Sequence, residues 1–225
     1  MRKDEDLLIS YLLLRQVIGW SGLLMPFVVR VGAMGFQHLA TQGSVSAYYY
    51  TDMRDVFVST LVLVGTLIAC YRTPNPGDNV VSIVAGLAAI GIGLFPTDPK
   101  LADTLAAACP CLTDRTCLLH GILGYHMDFV IVFFALCFVM VTFQFPRGTP
   151  RHAAREMRMR NVVYRVCGVL MLLAFIAIGV VQLRGANQSF FWPESIAVFA
   201  FGVAWLVKGQ TILKDKPGDP RRFAE

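Results

Sequence analysis

The chain has 225 residues, of which 56% are hydrophobic and only 16% are charged, and its formal net charge is +5. Soluble domains carry about 25% charged residues and disordered chains need low hydrophobicity, so this composition excludes both classes. The basic residues lie between long apolar runs and form no single patch. That distribution is typical of a polytopic membrane protein and argues against a nucleic-acid partner.

A helix needs about 20 mostly apolar residues to cross a membrane, and six apolar runs are close to or above that length. In chain order they are Gln16–Phe36, Asp55–Cys70, Val80–Pro96, Leu118–Phe145, Val162–Leu183 and Phe191–Leu213. The second and third runs are short, and polar flanks would have to complete their crossings. The sequence therefore predicts an all-α, polytopic membrane helix bundle with six transmembrane helices.

The first run has two interpretations, a cleaved signal peptide and a retained membrane span. The acidic residues Asp4, Glu5 and Asp6 precede it, and its apolar stretch is longer than that of a normal signal peptide. We therefore expect a retained span.

Lysine and arginine predict the orientation of the bundle. With both termini in the cytoplasm, fifteen of the twenty basic residues lie on the cytoplasmic side, as the positive-inside rule requires. The other five are Arg30, Arg54, Lys100, Arg115 and Arg184. The expected organisation is a cytoplasmic segment at 1–15, a six-helix membrane domain at 16–213 and a cytoplasmic tail at 214–225.

The basic segment Pro146–Arg160 lies between the fourth and fifth predicted helices. Its composition is typical of a loop that fixes topology. Binding of anionic lipid is the alternative, because each basic residue near an anionic membrane surface contributes about 1 kcal/mol.

Polar residues from several predicted helices collect at the non-cytoplasmic end. They are Ser46, Tyr50, Asp55, His120, His126, Asp128 and Glu194. Ionisable groups near a span usually face the bundle interior or a water-filled cavity. These residues therefore predict an outward-facing polar cavity that binds a lipid, a small hydrophobic ligand or a membrane-protein subunit. In this interpretation Tyr48 and Trp192 lie at the level of the lipid head groups. In the alternative interpretation the polar residues are ordinary interfacial groups, and tyrosine and tryptophan form the aromatic belt.

Two further features concern the interior of the bundle. Gly86, Gly91 and Gly93 predict close helix packing, because small residues let backbones approach. Arg30 lies inside the first run, and we expect it to pair with Asp55 or Glu194 across helices.

His120, His126 and Asp128 are ligand types that zinc accepts. On a helix their directions differ from that of His120 by about 80° to 120°, and no pair has the i,i+4 spacing of a helical zinc motif. We therefore expect no cofactor. The alternative is a zinc-dependent, membrane-embedded hydrolase of a lipid amide or ester, with Ser46 and these three residues around a metal-bound water.

The cysteines divide into two groups. Cys70, Cys137 and Cys167 lie within or at the ends of apolar runs and are expected to be packing residues. Cys109, Cys111 and Cys117 lie in the third loop, on the predicted outer side, where an oxidising environment permits a disulfide. Cys117 is expected to pair with Cys109 or with Cys111, and spacing does not choose between them.

Four stretches together resemble a group of largely uncharacterised bacterial integral membrane proteins. They are SVSAYYYTDMRDVFV at 44–58, GLAAIGIGLFPTDP at 86–99, RNVVYRVCGVLML at 160–172 and FFWPESIAVFAFGVAWLVKGQTIL at 190–213. Members of this group often carry a histidine where this chain has Tyr50 and a glutamate where it has Gln210. The resemblance implies a six-helix fold in the bacterial inner membrane and no established activity.

A second, more distant likeness concerns Ser46. In the alkaline-ceramidase and adiponectin-receptor superfamily of zinc hydrolases a serine is followed four residues later by a histidine, whereas here the fourth residue is Tyr50. The final span of this chain also lacks the paired histidines of that superfamily. This likeness implies the zinc-hydrolase alternative.

Overall fold

Helices form where the apolar runs predict them. The computed structural model describes residues 2–95, 97, 125–147, 155–183 and 189–214, and every regular element in those ranges is helical. The elements are α1 (Arg2–Gln37), a 3₁₀ helix (Ser46–Tyr50), α2 (Arg54–Cys70), α3 (Pro76–Leu94), α4 (His126–Val139) with a following π-helical turn (Met140–Gln144), α5 (Arg155–Leu183) and α6 (Phe191–Lys208).

Local sequence explains several helix ends. The side chain of Asn75 accepts a hydrogen bond from the amide of Gly77 at 3.0 Å, and Pro76 opens α3 with no N–H left to satisfy. The chain turns after Lys208, where Gln210 has a φ of 54°, so α6 ends before the predicted Leu213. The fourth predicted run is described only from residue 125 onward.

Five helical segments are long and apolar enough to cross a membrane: Ser10–Gln37, Pro76–Leu94, His126–Gln144, Arg155–Val181 and Phe191–Lys208. Helix α2 has 17 residues and is therefore about 25 Å long, which is short of the roughly 30 Å hydrocarbon core. The predicted all-helical, multi-pass membrane architecture is confirmed for the described residues.

The six helices are arranged in a ring that follows the order of the chain. Helix α1 packs on α2, α2 on α3, α3 on α4 and α5 on α6, and α6 returns to α1. Helices α4 and α5 meet chiefly through the π-helical turn Met140–Gln144. Each neighbour in sequence is thus a neighbour in space, and one long-range contact, between α1 and α6, closes the ring.

Aromatic side chains fill one end of the ring. This aromatic cluster comprises Tyr11, Tyr71, Phe145, Tyr164 and Trp205, and its successive ring centroids lie 5.0–5.5 Å apart. Trp205 at its centre is fully buried. The cluster comes from α1, α5, α6 and the turns after α2 and α4, and it ties these elements together at one end of the bundle.

A buried arginine completes the aromatic cluster. The guanidinium of Arg15 lies 4.5 Å from the ring centre of Tyr11 and donates to the carbonyl of Lys208 at 3.1 Å. A cation at the carbonyl end of α6 interacts favourably with the helix dipole. Burial raises the pKa of Tyr71 to about 12, although the nearby charge of Arg15 opposes the shift. Tyr71 therefore stays neutral at physiological pH.

Glycines set the closest helix contacts. A Cβ added to Gly86 would lie 2.3 Å from the carbonyl oxygen of Gly65, so α2 and α3 touch backbone to backbone. A Cβ on Gly202 would lie 2.8 Å from the carbonyl oxygen of Gly19, which gives α1 and α6 the same kind of contact. At Gly91 an added Cβ would meet the ring of Phe129 at 2.5 Å. The predicted packing role of the α3 glycines is confirmed.

The contact between α2 and α3 yields a stability prediction. We expect Gly86→Ala to destabilise the protein by about 1–3 kcal/mol, because the new methyl group overlaps the backbone of Gly65. Unfolding by dodecyl sulfate in mixed micelles measures the change. Gly35→Ala is the matched control, since nothing lies within 4 Å of its added Cβ. Equal losses in the two variants would contradict the contact.

Candidate functional site

The end of the ring opposite the aromatic cluster encloses a cavity of about 440 Å³. All six helices line it, with contributions that include Met25, Phe57, Ile92, Phe134, Phe175 and Phe201. The lining residues lie from the first turn to just past the middle of α2, α4 and α6, and in the second halves of α3 and α5. Successive helices from α2 to α6 therefore run in alternating directions around the cavity.

Glu194 is the ionisable residue among the described residues that line the cavity, and its partners are backbone amides. Its Oε2 accepts a hydrogen bond from the amide of Val45 at 2.6 Å, and the amide of Ser46 is also directed at the carboxylate. The Ser46 amide belongs to the 3₁₀ helix and that of Val45 directly precedes it, so the carboxylate caps the N-terminus of this element.

The same segment caps α6 in return. The carbonyl of Gly43 accepts hydrogen bonds from the amides of Phe190 at 2.6 Å and Phe191 at 3.0 Å, and from the hydroxyl of Ser189 at 3.2 Å. The first amides of a helix have no partner within the helix and need an external acceptor. The segment at 43–46 and the start of α6 thus satisfy each other, and this reciprocal clasp fixes the position of Glu194.

Arg30 makes different contacts from those predicted. Its Nε donates to the hydroxyl of Thr41 at 2.9 Å, and its guanidinium lies 5.4 Å from the ring centre of Trp192. Among the described residues it forms no ion pair with Asp55 or Glu194, so that prediction is wrong. Backbone amides, not the arginine, are therefore the hydrogen-bond partners of Glu194.

Tyr50 and His126 bind the carbonyl end of α3 instead of lining the cavity. The hydroxyl of Tyr50 donates to the carbonyl of Thr97 at 2.5 Å, and Nδ1 of His126 lies 2.6 Å from the carbonyl oxygen of Phe95. A carbonyl can only accept, so the proton of His126 lies on Nδ1. These two side chains join α3 to the 3₁₀ helix and to α4.

The remaining predicted site residues are separated from one another. Asp55 and Asp128 are exposed on the surface, while Ser46 lines the cavity beside Glu194. His120, Cys109, Cys111 and Cys117 lie outside the described residues. Of the predicted set, the structure brings Ser46 and Glu194 together at the cavity.

Tyr48 and Trp192 are both predicted to lie at the level of the lipid head groups, but the two differ in exposure. Trp192 is 55% exposed, as a belt residue should be, whereas Tyr48 is fully buried. Its hydroxyl accepts a hydrogen bond from the amide of Gln42 at 3.4 Å, and burial raises the pKa of Tyr48. Tyr48 is therefore a neutral core residue, and it lies in the 3₁₀ helix that Glu194 caps.

Within the part of the chain that the structure describes, no three histidine, cysteine, aspartate or glutamate side chains come together as a group that could hold a metal ion. Ser46 and His126, which the hydrolase alternative combines, share no hydrogen bond there. His126 is instead committed to Phe95.

No protein-family model matches the sequence, and comparisons with curated proteins and with solved structures gave no match. The resemblance to bacterial membrane proteins stays a prediction. Function is therefore inferred from the cavity and its carboxylate.

The cap formed by Glu194 yields a second stability prediction. We expect Glu194→Ala to cost about 1–3 kcal/mol, because it leaves the buried amides of Val45 and Ser46 without an acceptor. The matched control is Asp128→Ala, which removes an exposed carboxylate and should change stability by less than about 0.5 kcal/mol. Dodecyl sulfate unfolding measures both, and an unchanged midpoint for Glu194→Ala would show that the clasp is not stabilising.

Proposed function

We propose that this chain is a multi-pass membrane protein that binds one amphiphilic molecule inside the helix ring. The apolar part of the ligand occupies the cavity and its head group bonds to Glu194. The observation that carries the proposal is the Glu194 carboxylate on the wall of a cavity of about 440 Å³, where it is the one carboxylate among the described lining residues and the wall is otherwise almost entirely apolar. That volume lies within the roughly 300–1,000 Å³ typical of small-molecule sites, which are mostly apolar with a few polar groups that orient the ligand.

The chemistry of Glu194 selects the head group. The two carboxyl oxygens of Glu194 offer about four acceptor positions, and the amides of Val45 and Ser46 leave some of them free. A donor such as an amine or hydroxyl fits beside it, and an anionic head group would be repelled. The ligand class is therefore a long-chain amine or alcohol.

The arrangement of α4 and α5 supports entry from the bilayer. These helices contact each other chiefly at the π-helical turn, and at the cavity, which both line, the rings of Phe134 and Phe175 meet edge to face at 5.2 Å. In this region Ile131 is 53% exposed, and nothing lies within 4 Å of a Cβ added to Gly179. The ligand enters sideways between the two helices.

The proposal includes six membrane crossings, with both termini in the cytoplasm of a bacterial cell and the chain in its inner membrane. The backbone contact between Gly65 and Gly86 supports the crossing of α2, because it holds this short helix against the longer α3. Only residues 71–75 connect the two helices, so they run antiparallel side by side. The excess of basic residues at the predicted inner end supports the orientation.

Cysteine labelling on the two sides of α2 tests the topology. In a variant without the native cysteines, we expect a membrane-impermeant maleimide to label Asp52→Cys in intact cells and to label Pro74→Cys only after lysis. Both positions are exposed and they flank the helix. Labelling of both in intact cells would show that α2 does not cross the membrane, and the reverse pattern would invert the orientation.

Ligand binding is tested with a photoreactive long-chain amine and a photoreactive fatty acid of equal chain length, in phosphatidylcholine nanodiscs. We expect the amine to label cavity residues such as Met127 and Phe201 and to be displaced by unlabelled amine, because its head group donates hydrogen bonds to Glu194. The acid should label them at least about tenfold less. Mass spectrometry locates the labelled residues.

A matched pair of glycine variants separates cavity binding from general membrane partitioning. Gly179→Phe should abolish labelling of the cavity, because its side chain enters open space on the cavity wall. Gly35→Phe should leave labelling unchanged, since this residue has equally open surroundings in α1 and does not line the cavity. Equal labelling in both variants, or equal labelling by amine and acid, would overturn the proposal.

A further inference from the structure

Helix α5 carries three arginines on its outer surface, at the end nearest the aromatic cluster. Arg155, Arg158 and Arg165 are all exposed, and within the described ranges none of their guanidinium groups forms a hydrogen bond or ion pair. Arg160 differs: it is 4% exposed and donates to the carbonyl of Leu213 at 2.9 Å. One basic residue of this segment therefore has a structural role, and three have side chains available to a partner.

The three arginines share one face with the exposed apolar residues of the same helix. At 100° per residue, they and the apolar set fall within an arc of roughly 100°. The apolar set, whose members are 41–55% exposed, is Val162, Val166, Val169, Leu173, Ile176 and Val180. Arg155 and Arg158 thus lie at the N-terminal end of a continuous outer stripe, Arg165 lies just inside it, and apolar side chains form the rest.

The length of the apolar stripe places the arginines relative to the membrane. Val162 and Val180 are 18 positions apart, which corresponds to about 27 Å along the helix and nearly equals the hydrocarbon thickness. Arg158 then lies about 6 Å outside the hydrocarbon and Arg165 about 5 Å inside it. An arginine at that depth extends its head group back to the interface. Both guanidinium groups therefore reach the level of the lipid phosphates.

We propose that this face of α5 is a binding site for an anionic phospholipid, held by Arg155, Arg158 and Arg165 around its phosphate and by the apolar stripe along its acyl chains. Arg155 and Arg158 are three residues apart and repel each other, and a bound anion relieves that repulsion. Arginine also suits phosphate, which it can bind through two parallel hydrogen bonds. A soluble acidic partner is disfavoured, because the stripe continues into hydrocarbon beyond Arg165. The proposal is independent of the cavity and of its ligand.

Tryptophan quenching by brominated lipids tests the site in the full chain. The reporter Val162→Trp lies on the stripe between Arg158 and Arg165. The matched control is Val80→Trp. Val80 is 59% exposed and lies near the start of α3, at the same end of the bundle but away from α5. Each reporter is reconstituted in phosphatidylcholine vesicles that contain dibrominated phosphatidylglycerol or dibrominated phosphatidylcholine, and quenching of the parent chain is subtracted.

We expect phosphatidylglycerol to quench the α5 reporter preferentially, with its association constant relative to phosphatidylcholine falling about fivefold for each of Arg158→Gln and Arg165→Gln. Arg158→Lys with Arg165→Lys should keep most of the preference, because the charge remains. Quenching by brominated phosphatidylcholine should be the same in all variants and shows that they are inserted. Equal quenching by the two lipids, a preference that survives both glutamine substitutions, or the same preference at Val80→Trp would overturn the proposal.

Discussion

The ring depends on the contact between its first and last helices. Every other neighbouring pair is consecutive in the chain, whereas α1 and α6 are far apart in sequence. Backbone packing joins these two helices, together with hydrogen bonds such as the one from Arg15 to the carbonyl of Lys208. At Gly19 and Gly202 the two backbones approach too closely for any side chain. Without hydrophobic attraction between helices in lipid, such close van der Waals packing is what holds them together. The cavity exists because this contact closes its wall.

The two ends of the ring are packed differently: one is filled by the aromatic cluster and the other contains the cavity. At one end large rings fill the space, and Trp205 contacts Tyr71 and Phe145 edge to face. Such contacts contribute about 0.5–1.5 kcal/mol each beyond burial. At the other end the ring of Phe133 contacts those of Phe134 at 5.1 Å and Phe201 at 5.8 Å between centroids, and all three line the cavity. Phe201 also contacts Trp205, so one series of aromatic contacts runs from the filled end to the hollow one.

The helices could be predicted from the sequence because hydropathy is a local property. The same holds for the glycines of α3, whose packing role follows from residue size. The site could be predicted only in part. Glu194 and Ser46 meet at the cavity as residues of one predicted group, but Tyr50, His126 and Arg30 bind Thr97, Phe95 and Thr41. Those partners depend on the relative height of separate helices, which one sequence does not encode locally. The cavity wall could not be predicted from the sequence, because phenylalanine and isoleucine occur in the same sequence patterns whether they pack against other residues or line a cavity.

The chain-order ring has a consequence for biosynthesis. Helices that are adjacent in the chain can pair as soon as each one leaves the translocation machinery, because their contacts are local and lose little chain entropy. Helix α1 is made first, and its own closing partner is made last. Its glycine face therefore stays bare through the synthesis of four intervening helices, and the compartment inside the ring is sealed only when α6 arrives. The closing contact is thus the one of longest sequence separation, and the glycines that permit it matter for the assembly of the ring as well as for its final form.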